Sequence, residues 1–142
     1  MVLRIELKPG EKLFIGKAIL QNGGNRTHLG IDGKLPMLRD RDFVEESVCT
    51  TPITRLYACI QDAYLAGSDP VAQTAYALNL VGACKKGEIS VGIAKELGPL
   101  ASKDGFKALR LLRPFLPADA FPLTDRNLFP SNALKLNDRK RM

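Results

Sequence analysis

The chain holds a single histidine, His28. Any Ser-His-Asp or Cys-His arrangement would have to be built on it. It falls on the polar side of an alternating run, next to Arg26, where an imidazole is ordinarily a solvated surface group. Cys49, Cys59 and Cys84 are odd in number and have no C-x-x-C spacing. They suit neither a disulfide framework nor a zinc site, and read as reduced thiols packed as small apolar residues in a cytoplasmic protein. Asp40, Asp42, Glu45 and Glu46 are close enough in sequence to hold a cation, but the same spacing suits a solvated segment leading into a helix. P-loop, G-x-G-x-x-G, H-E-x-x-H and EF-hand patterns are missing. These residues argue against an enzyme, and they imply no cofactor and no metal.

The remaining candidates for chemistry are basic. Arg4, Lys8, Lys12, Lys17, Arg26, Arg39 and Arg41 lie on or beside predicted strands. Guanidinium and ammonium groups on a sheet can neutralise the phosphates of single-stranded RNA and lie against its exposed bases. Two features oppose that reading. Phe14 is the only aromatic residue before Phe43, so stacking groups are scarce. The net charge of +6 is also concentrated elsewhere: residues 1–48 carry eight basic and seven acidic side chains, residues 49–142 thirteen and eight. A basic balance admits nucleic acid, an acidic protein or a membrane surface without choosing among them.

These residues are positioned by a predicted α+β chain: a small N-terminal antiparallel β module of four to five short strands over 1–48, about four α-helices over 49–117, and an extended or disordered tail over 118–142. In Val2 to Leu7 the apolar residues Leu3, Ile5 and Leu7 alternate with Arg4 and Glu6, the period of a half-buried strand. Pro9-Gly10 predicts a turn. Lys12 to Gln21 predicts a second strand region with Leu13 and Ile15 on one face, and Gly16 inside it suggests a bulge or a close backbone approach. Asn22-Gly23-Gly24-Asn25 predicts a hairpin turn with positive φ. It is followed by a strand with Thr27, Leu29 and Ile31 on one side and Arg26, His28 and Gly30 on the other. Asp32-Gly33 predicts a second hairpin turn, and Lys34 to Leu38 a last strand that Pro36 confines to an edge. So small a sheet needs further cover. Its open edge offers a docking surface for a strand or peptide, and a route to a homo-oligomer.

Helix signals follow. Thr51-Pro52 predicts an N-cap and first turn, and Ile53, Leu56, Tyr57, Ile60, Ala63 and Tyr64 form a stripe ending near Gly67. Ser68-Asp69-Pro70 predicts a second helix to about Lys86, with Val71, Leu78 and Val81 along it. Glu88 to Leu97 predicts a third, stopped by Gly98-Pro99, with Ile89, Ile93 and Leu97 in line. Ser102 to Leu112 predicts a fourth, with Phe106, Leu109 and Leu112 on one face, ended by Pro114 and Pro117. Beyond Ala118 the period is lost, although Phe121, Leu123, Leu128 and Phe129 could dock the tail in a groove. No stretch has the form of a signal peptide or a membrane span, so no membrane association is expected.

One ordered set of short motifs is informative. Leu7-Lys8-Pro9-Gly10-Glu11, Ile15-Gly16-Lys17-Ala18-Ile19, Gln21-Asn22-Gly23, Leu38-Arg39-Asp40-Arg41-Asp42 and Thr51-Pro52 with Arg55-Leu56-Tyr57 resemble the flagellum biosynthesis repressor FlbT family. The likeness is strong over residues 2 to about 66, looser to Pro117, where Ala108-Leu109-Arg110 follows a family pattern, and absent from the tail. Ile15-Gly16 stands where the family more often has Asn-Gly, and Phe43 where Ile is commoner; neither departure removes a charge. The resemblance implies a cytoplasmic bacterial regulator associated with the 5′ untranslated leader of flagellin mRNA, lowering flagellin synthesis and promoting decay of the message. It also implies partnership with the flagellar protein FlaF, and with flagellin. It assigns no RNA-contacting residues, so the seven basic residues stand on the reading of the strands. Gly10-Glu11, Phe14-Ile15-Gly16, Leu29-Gly30-Ile31 and Leu38-Arg39-Asp40 are also similar in order to the carbon storage regulator, another small β protein that represses translation, an analogy of form only. Two functions follow: an RNA-binding post-transcriptional repressor, or alternatively a protein-interaction adaptor or chaperone-like factor that binds flagellin or FlaF and acts on mRNA indirectly.

Overall fold

The computed structural model of the chain describes residues 2–67 and 69–121. Five strands come first: β1 (Val2–Leu7), β2 (Lys12–Ile15), β3 (Ala18–Gln21), β4 (Thr27–Asp32) and β5 (Met37–Arg39). Four helices follow: α1 (Pro52–Ala66), α2 (Pro70–Lys85), α3 (Val91–Lys103) and α4 (Gly105–Leu112). The α+β order expected from the sequence is therefore the order observed. The chain divides into two compact units, with the division between Asp42 and Phe43.

In the first unit the strands form two antiparallel sheets, β1-β4 and β3-β2-β5. Their apolar faces share a small core of Ile5, Leu7 and Leu13, against which Ile15, Leu29, Ile31 and Met37 are partly buried. Burying each of the three central side chains stabilises the unit by about 1.5–3 kcal/mol. Phe14 and Leu38, paired across β2 and β5, are buried as well.

Three turn readings need correction. Gly16 is not a bulge. With φ of 55° it begins the two-residue loop Gly16-Lys17 that joins β2 to β3, so the predicted second strand is a tight hairpin. The left-handed φ is what the glycine supplies. Asn22-Gly23-Gly24-Asn25 is not a hairpin turn, and neither Gly23 nor Gly24 has positive φ. It carries the chain from β3 in one sheet to β4 in the other. The Asn22 side chain shapes it: Nδ2 donates to the carbonyls of Leu7 (3.0 Å), Lys8 (3.3 Å) and Asn25 (2.7 Å), and Oδ1 accepts from Gly24 N–H (3.0 Å). Asp32-Gly33 likewise crosses between sheets, because β5 pairs with β2 and not with β4. Pro36 precedes that edge strand as expected, and its carbonyl accepts from Gly16 N–H at 3.0 Å.

In the second unit the start signals act as read. Thr51 caps α1 in a reciprocal capping box with Thr54, Pro52 fills the first turn, and Gly67 closes the helix. Asp69 caps α2 through the Ala72 N–H. The apolar stripe of α1 is buried at Ile53, Leu56, Tyr57 and Ile60.

The later helices depart from expectation at three places. Val71, Leu78 and Val81 of α2 face outward, 78 %, 69 % and 53 % exposed. Helix α2 meets α1 through small residues instead: Ala83 is fully buried, and a Cβ at Gly82 would lie 3.2 Å from Pro52 Cβ. Helix α3 begins at Val91, capped by Ser90, and runs through Gly98-Pro99 to Lys103. A proline crowds the Cβ of the residue before it when that residue is helical; Gly98 has none, which removes that one clash. Helix α4 consequently starts later, at Gly105, capped by Asp104, and still buries Leu109 and Leu112. Ordered chain continues past Ala118: Ala120 is buried, and the Phe121 ring meets Tyr57 edge-on at 5.3 Å between centroids, with Arg113 over its face at 4.1 Å. Leu123, Leu128 and Phe129 lie outside the described residues.

Candidate nucleic-acid interface

The β1-β4 register decides which basic residues share a surface. Leu3, Ile5 and Leu7 of β1 pair with Ile31, Leu29 and Thr27 of β4. The intervening positions therefore form the opposite, outer face: Arg4 opposite Gly30, and Glu6 opposite His28. Arg4 and His28 are exposed there, and so are Lys8 and Arg26 at the ends of the two strands. Gly30, opposite Arg4, is covered by its neighbour: a Cβ there would lie 3.1 Å from Val2 Cγ1.

Acidic groups moderate this face. Arg26 Nη1 donates to Glu6 Oε2 at 2.6 Å in an exposed ion pair. The Arg26 hydrogen bond holds the Glu6 carboxyl below its ordinary value, with His28 and Lys8 contributing through their charge. Arg26 is thus shared between Glu6 and any ligand, whereas Arg4 and Lys8 form no ion pair among the described residues, although the Lys8 charge still acts on Glu6.

The other four candidates lie apart from that face. Lys17 is exposed at the tip of the β2-β3 hairpin. Lys12 is half-buried at the start of β2, and its backbone N–H donates to Asp40 Oδ2 at 3.3 Å. Arg41 is exposed in the 3-10 turn Asp40–Asp42. Arg39 pairs with Leu13, so its side chain stands on the core-facing side of its sheet. Its Nη2 donates to Glu6 O at 2.6 Å and to Glu11 Oε2 at 3.1 Å. Glu11 Oε1 in turn accepts from Lys8 N–H at 2.9 Å. Arg39 and Glu11 therefore fasten β5, β1 and the Lys8–Glu11 turn together.

Replacing Arg39 by Ala is accordingly expected to act on folding. Charge-assisted hydrogen bonds of this kind contribute about 1.5–3 kcal/mol. Urea unfolding is expected to show a loss of that order for Arg39→Ala and less than about 0.5 kcal/mol for exposed Arg4→Ala. Equal effects for the two variants would remove Arg39 from this structural role.

Two open clefts lie in the helical unit. One, of about 690 Å³, is lined among others by Cys59, Tyr64, Tyr76 and Gly105, the other, of about 530 Å³, by Cys49, Arg55, Cys59 and Asp62. Burial pushes the thiol pKa of Cys49 up, and Asp62 and Glu46 add to the effect. Burial also raises Cys59, against an opposing hydrogen bond from Asn79. An activated nucleophile requires the reverse shift. Alkylation of Cys49 and Cys59 near neutral pH is therefore expected to be slower than that of an unstructured cysteine, followed by mass spectrometry of the native and urea-unfolded chain. Equal rates in the two states would contradict the thiol environment described here. Among the described residues, no three His, Cys, Asp or Glu side chains come together as a metal site. No helix among them is long and apolar enough to cross a membrane.

Sequence reasoning missed the acidic partners, Glu6 for Arg26 and Glu11 for Arg39. The alternation did place Arg26 and His28 on one side, so the shared face was partly visible.

Comparison with known proteins agrees with the motifs. Residues 3–121 match the family model described as flagellar protein FlbT. A protein of Rhodopseudomonas palustris strain TIE-1, named probable flagellum biosynthesis repressor protein FlbT, is 36 % identical over 121 residues, covering 82 % of this chain and 93 % of that protein. A Bradyrhizobium diazoefficiens protein, named probable flagellum biosynthesis repressor protein FlbT 1, is 37 % identical over 82 residues, 57 % of this chain and 56 % of its own. The flagellum biosynthesis repressor protein FlbT of Caulobacter vibrioides strain CB 15 is 37 % identical over 65 residues, 46 % of each. No solved structure matches the chain. With the family model matched across nearly all the described residues, the chain belongs to the FlbT family of flagellar proteins.

Proposed function

We propose that this protein is a cytoplasmic, non-catalytic regulator of flagellum biosynthesis that binds the 5′ untranslated leader of flagellin mRNA and lowers expression of the message by repression and decay. The regulatory part rests on the relatives named flagellum biosynthesis repressors. The RNA part rests on one observation: Arg4, Lys8, Arg26 and His28 gather on the outer face of β1-β4. Phosphate contacts from such a face anchor a single strand. The test is a gel shift of the full chain with flagellin leader RNA and with a scrambled RNA of equal length. Retardation of the leader at lower protein concentration supports the proposal, and no retardation of either RNA overturns its RNA part.

A second reading has its own support. From Val71 through Cys84, α2 carries no charged side chain, and Val71, Leu78 and Val81 stand exposed on it. Such a face suits a protein partner better than a polyanion. In this reading the chain is an adaptor for flagellin or FlaF, and its effect on mRNA is indirect. A pulldown with each partner, run beside the gel shift, separates the two. RNA retardation that appears only with a partner present, and disappears with Leu78→Lys, selects the adaptor.

A further inference from the structure

The β module has one strand edge that differs from its others. The sheets β1-β4 and β3-β2-β5 leave β1, β4, β3 and β5 at edges. Three of these carry devices that discourage strand addition: Arg4 and Glu6 on β1, His28 and Asp32 on β4, and Pro36 with Arg39 at β5. Strand β3 reads Ala18-Ile19-Leu20-Gln21, without charge or proline, and every one of its residues is exposed. Ile19 is 60 % exposed and Leu20 45 %.

The exposure of Leu20 is informative because of its direction. Leu20 pairs with Leu13, so it faces the same side as that buried core residue. The core extends beneath β3 and is left open there. Among the described residues of this unit the buried apolar side chains are Ile5, Leu7, Leu13, Phe14 and Leu38, few for a unit of this size.

Hydrogen bonding fixes what the edge presents. Asn22 N–H donates to Glu11 O at 3.0 Å and Asn22 O accepts from Gly10 N–H at 2.6 Å, so both backbone polar groups of residue 22 point toward the strand preceding β3. Alternation along an antiparallel ladder then directs the N–H and C=O of Ile19 and Gln21 outward.

We propose that β3 is the pairing strand of a homodimer, in which two copies join antiparallel about a two-fold axis at Leu20. Ile19 of one copy exchanges both backbone hydrogen bonds with Gln21 of the partner subunit, and Gln21 does the same with the partner's Ile19. Leu20 then faces the partner's Leu20, and the two open cores become continuous. The occupant is a second copy because the strand complements itself in this register. Ala18 falls opposite the partner's Asn22, and Lys17 opposite the partner's Gly23, so no like charges are opposed. This inference does not depend on the RNA reading.

A strand this short buries less than the roughly 1,200 Å² of a standard interface, so dissociation is expected in the micromolar range. Light scattering with the full chain from about 1 to 200 µM therefore spans it. The expected mass rises from 15.6 kDa toward twice that value. Leu20→Lys, which sets like charges face to face, is expected to weaken association at least about tenfold with an unchanged circular dichroism spectrum. Leu20→Cys is expected to give an intermolecular 20–20 disulfide on oxidation, identified by peptide mapping, because a non-hydrogen-bonded pair has a Cα separation of about 4.5 Å. A monomer throughout the concentration range overturns the proposal, as does a folded Leu20→Lys protein that associates like the parent. Should Leu20→Lys fail to fold, the cross-link decides: a 20–20 disulfide supports the interface, and a dimer without it overturns it.

Discussion

Gln61→Leu is expected to cost the chain about 2–5 kcal/mol, a large share of the total stability of a domain. Gln61 and Val44 are each about 1 % exposed. The Gln61 amide holds the Val44 backbone on both sides: Oε1 accepts from Val44 N–H at 2.8 Å, and Nε2 donates to Val44 O at 3.0 Å. These bonds tie the segment before α1 to the helix itself. Leucine keeps the volume and removes both partners, leaving a buried donor and a buried acceptor unsatisfied at about 1–3 kcal/mol each. Gln61→Glu separates the contributions. Its carboxylate still accepts from Val44 N–H but cannot donate to Val44 O, and it buries a charge. Protonation restores a donor, so Gln61→Glu is expected to gain stability relative to the parent as pH falls into the carboxylate range. Urea unfolding of the three proteins at neutral and acid pH checks both statements. A Gln61→Leu midpoint within error of the parent would show that the segment is held some other way.

The second large effect concerns RNA. If Arg4, Lys8 and Arg26 each neutralise one phosphate, the logarithm of affinity falls with the logarithm of salt at a slope of about −2. That corresponds to roughly a 20-fold loss between about 50 and 200 mM salt. The pair Arg4→Glu and Lys8→Glu is expected to lower leader affinity by about 100-fold, since two favourable charges become repulsive. The pair Arg4→Ala and Lys8→Ala is expected to reduce the slope to about −0.7. Lys17→Ala, at the hairpin tip away from this face, serves as the control and should leave the affinity nearly unchanged. Both variants concern exposed side chains, so their circular dichroism should match the parent. A flat salt response, or a Lys17→Ala effect equal to that at Arg4 and Lys8, would move the interface elsewhere on the chain.

The candidate site was only half legible beforehand, and Arg39 shows why. In the chain it sits two residues from Arg41, in a run that looks uniformly charged and solvated. Pairing with Leu13 turns its side chain toward the core, within reach of Glu11 and the carbonyl of Glu6. A side chain's neighbours from distant segments do not enter local pattern, so a structural arginine and a ligand-binding one read alike. Arg4 and Lys8 could be placed correctly because the alternation of β1 alone sets their side of the sheet.

The same division runs through the whole protein. Short-range signals in the chain suffice to place the starts and stops of elements: the Thr51 cap with Pro52, the Asp69 cap with Pro70, the stop at Gly67, and the period-two faces of β1 and β4. Those choices depend on hydrogen bonds and torsions within a few residues. Partners are settled by the three-dimensional packing. It joined β5 to β2 and β4 to β1, so that two apparent hairpin turns became crossings between sheets. It set the small residues of α2 against α1 and left Val71, Leu78 and Val81 outside. Pairing and burial join residues far apart in the chain, and the lowest free energy belongs to the arrangement that encloses the most apolar surface with every backbone group bonded, a property no single segment carries.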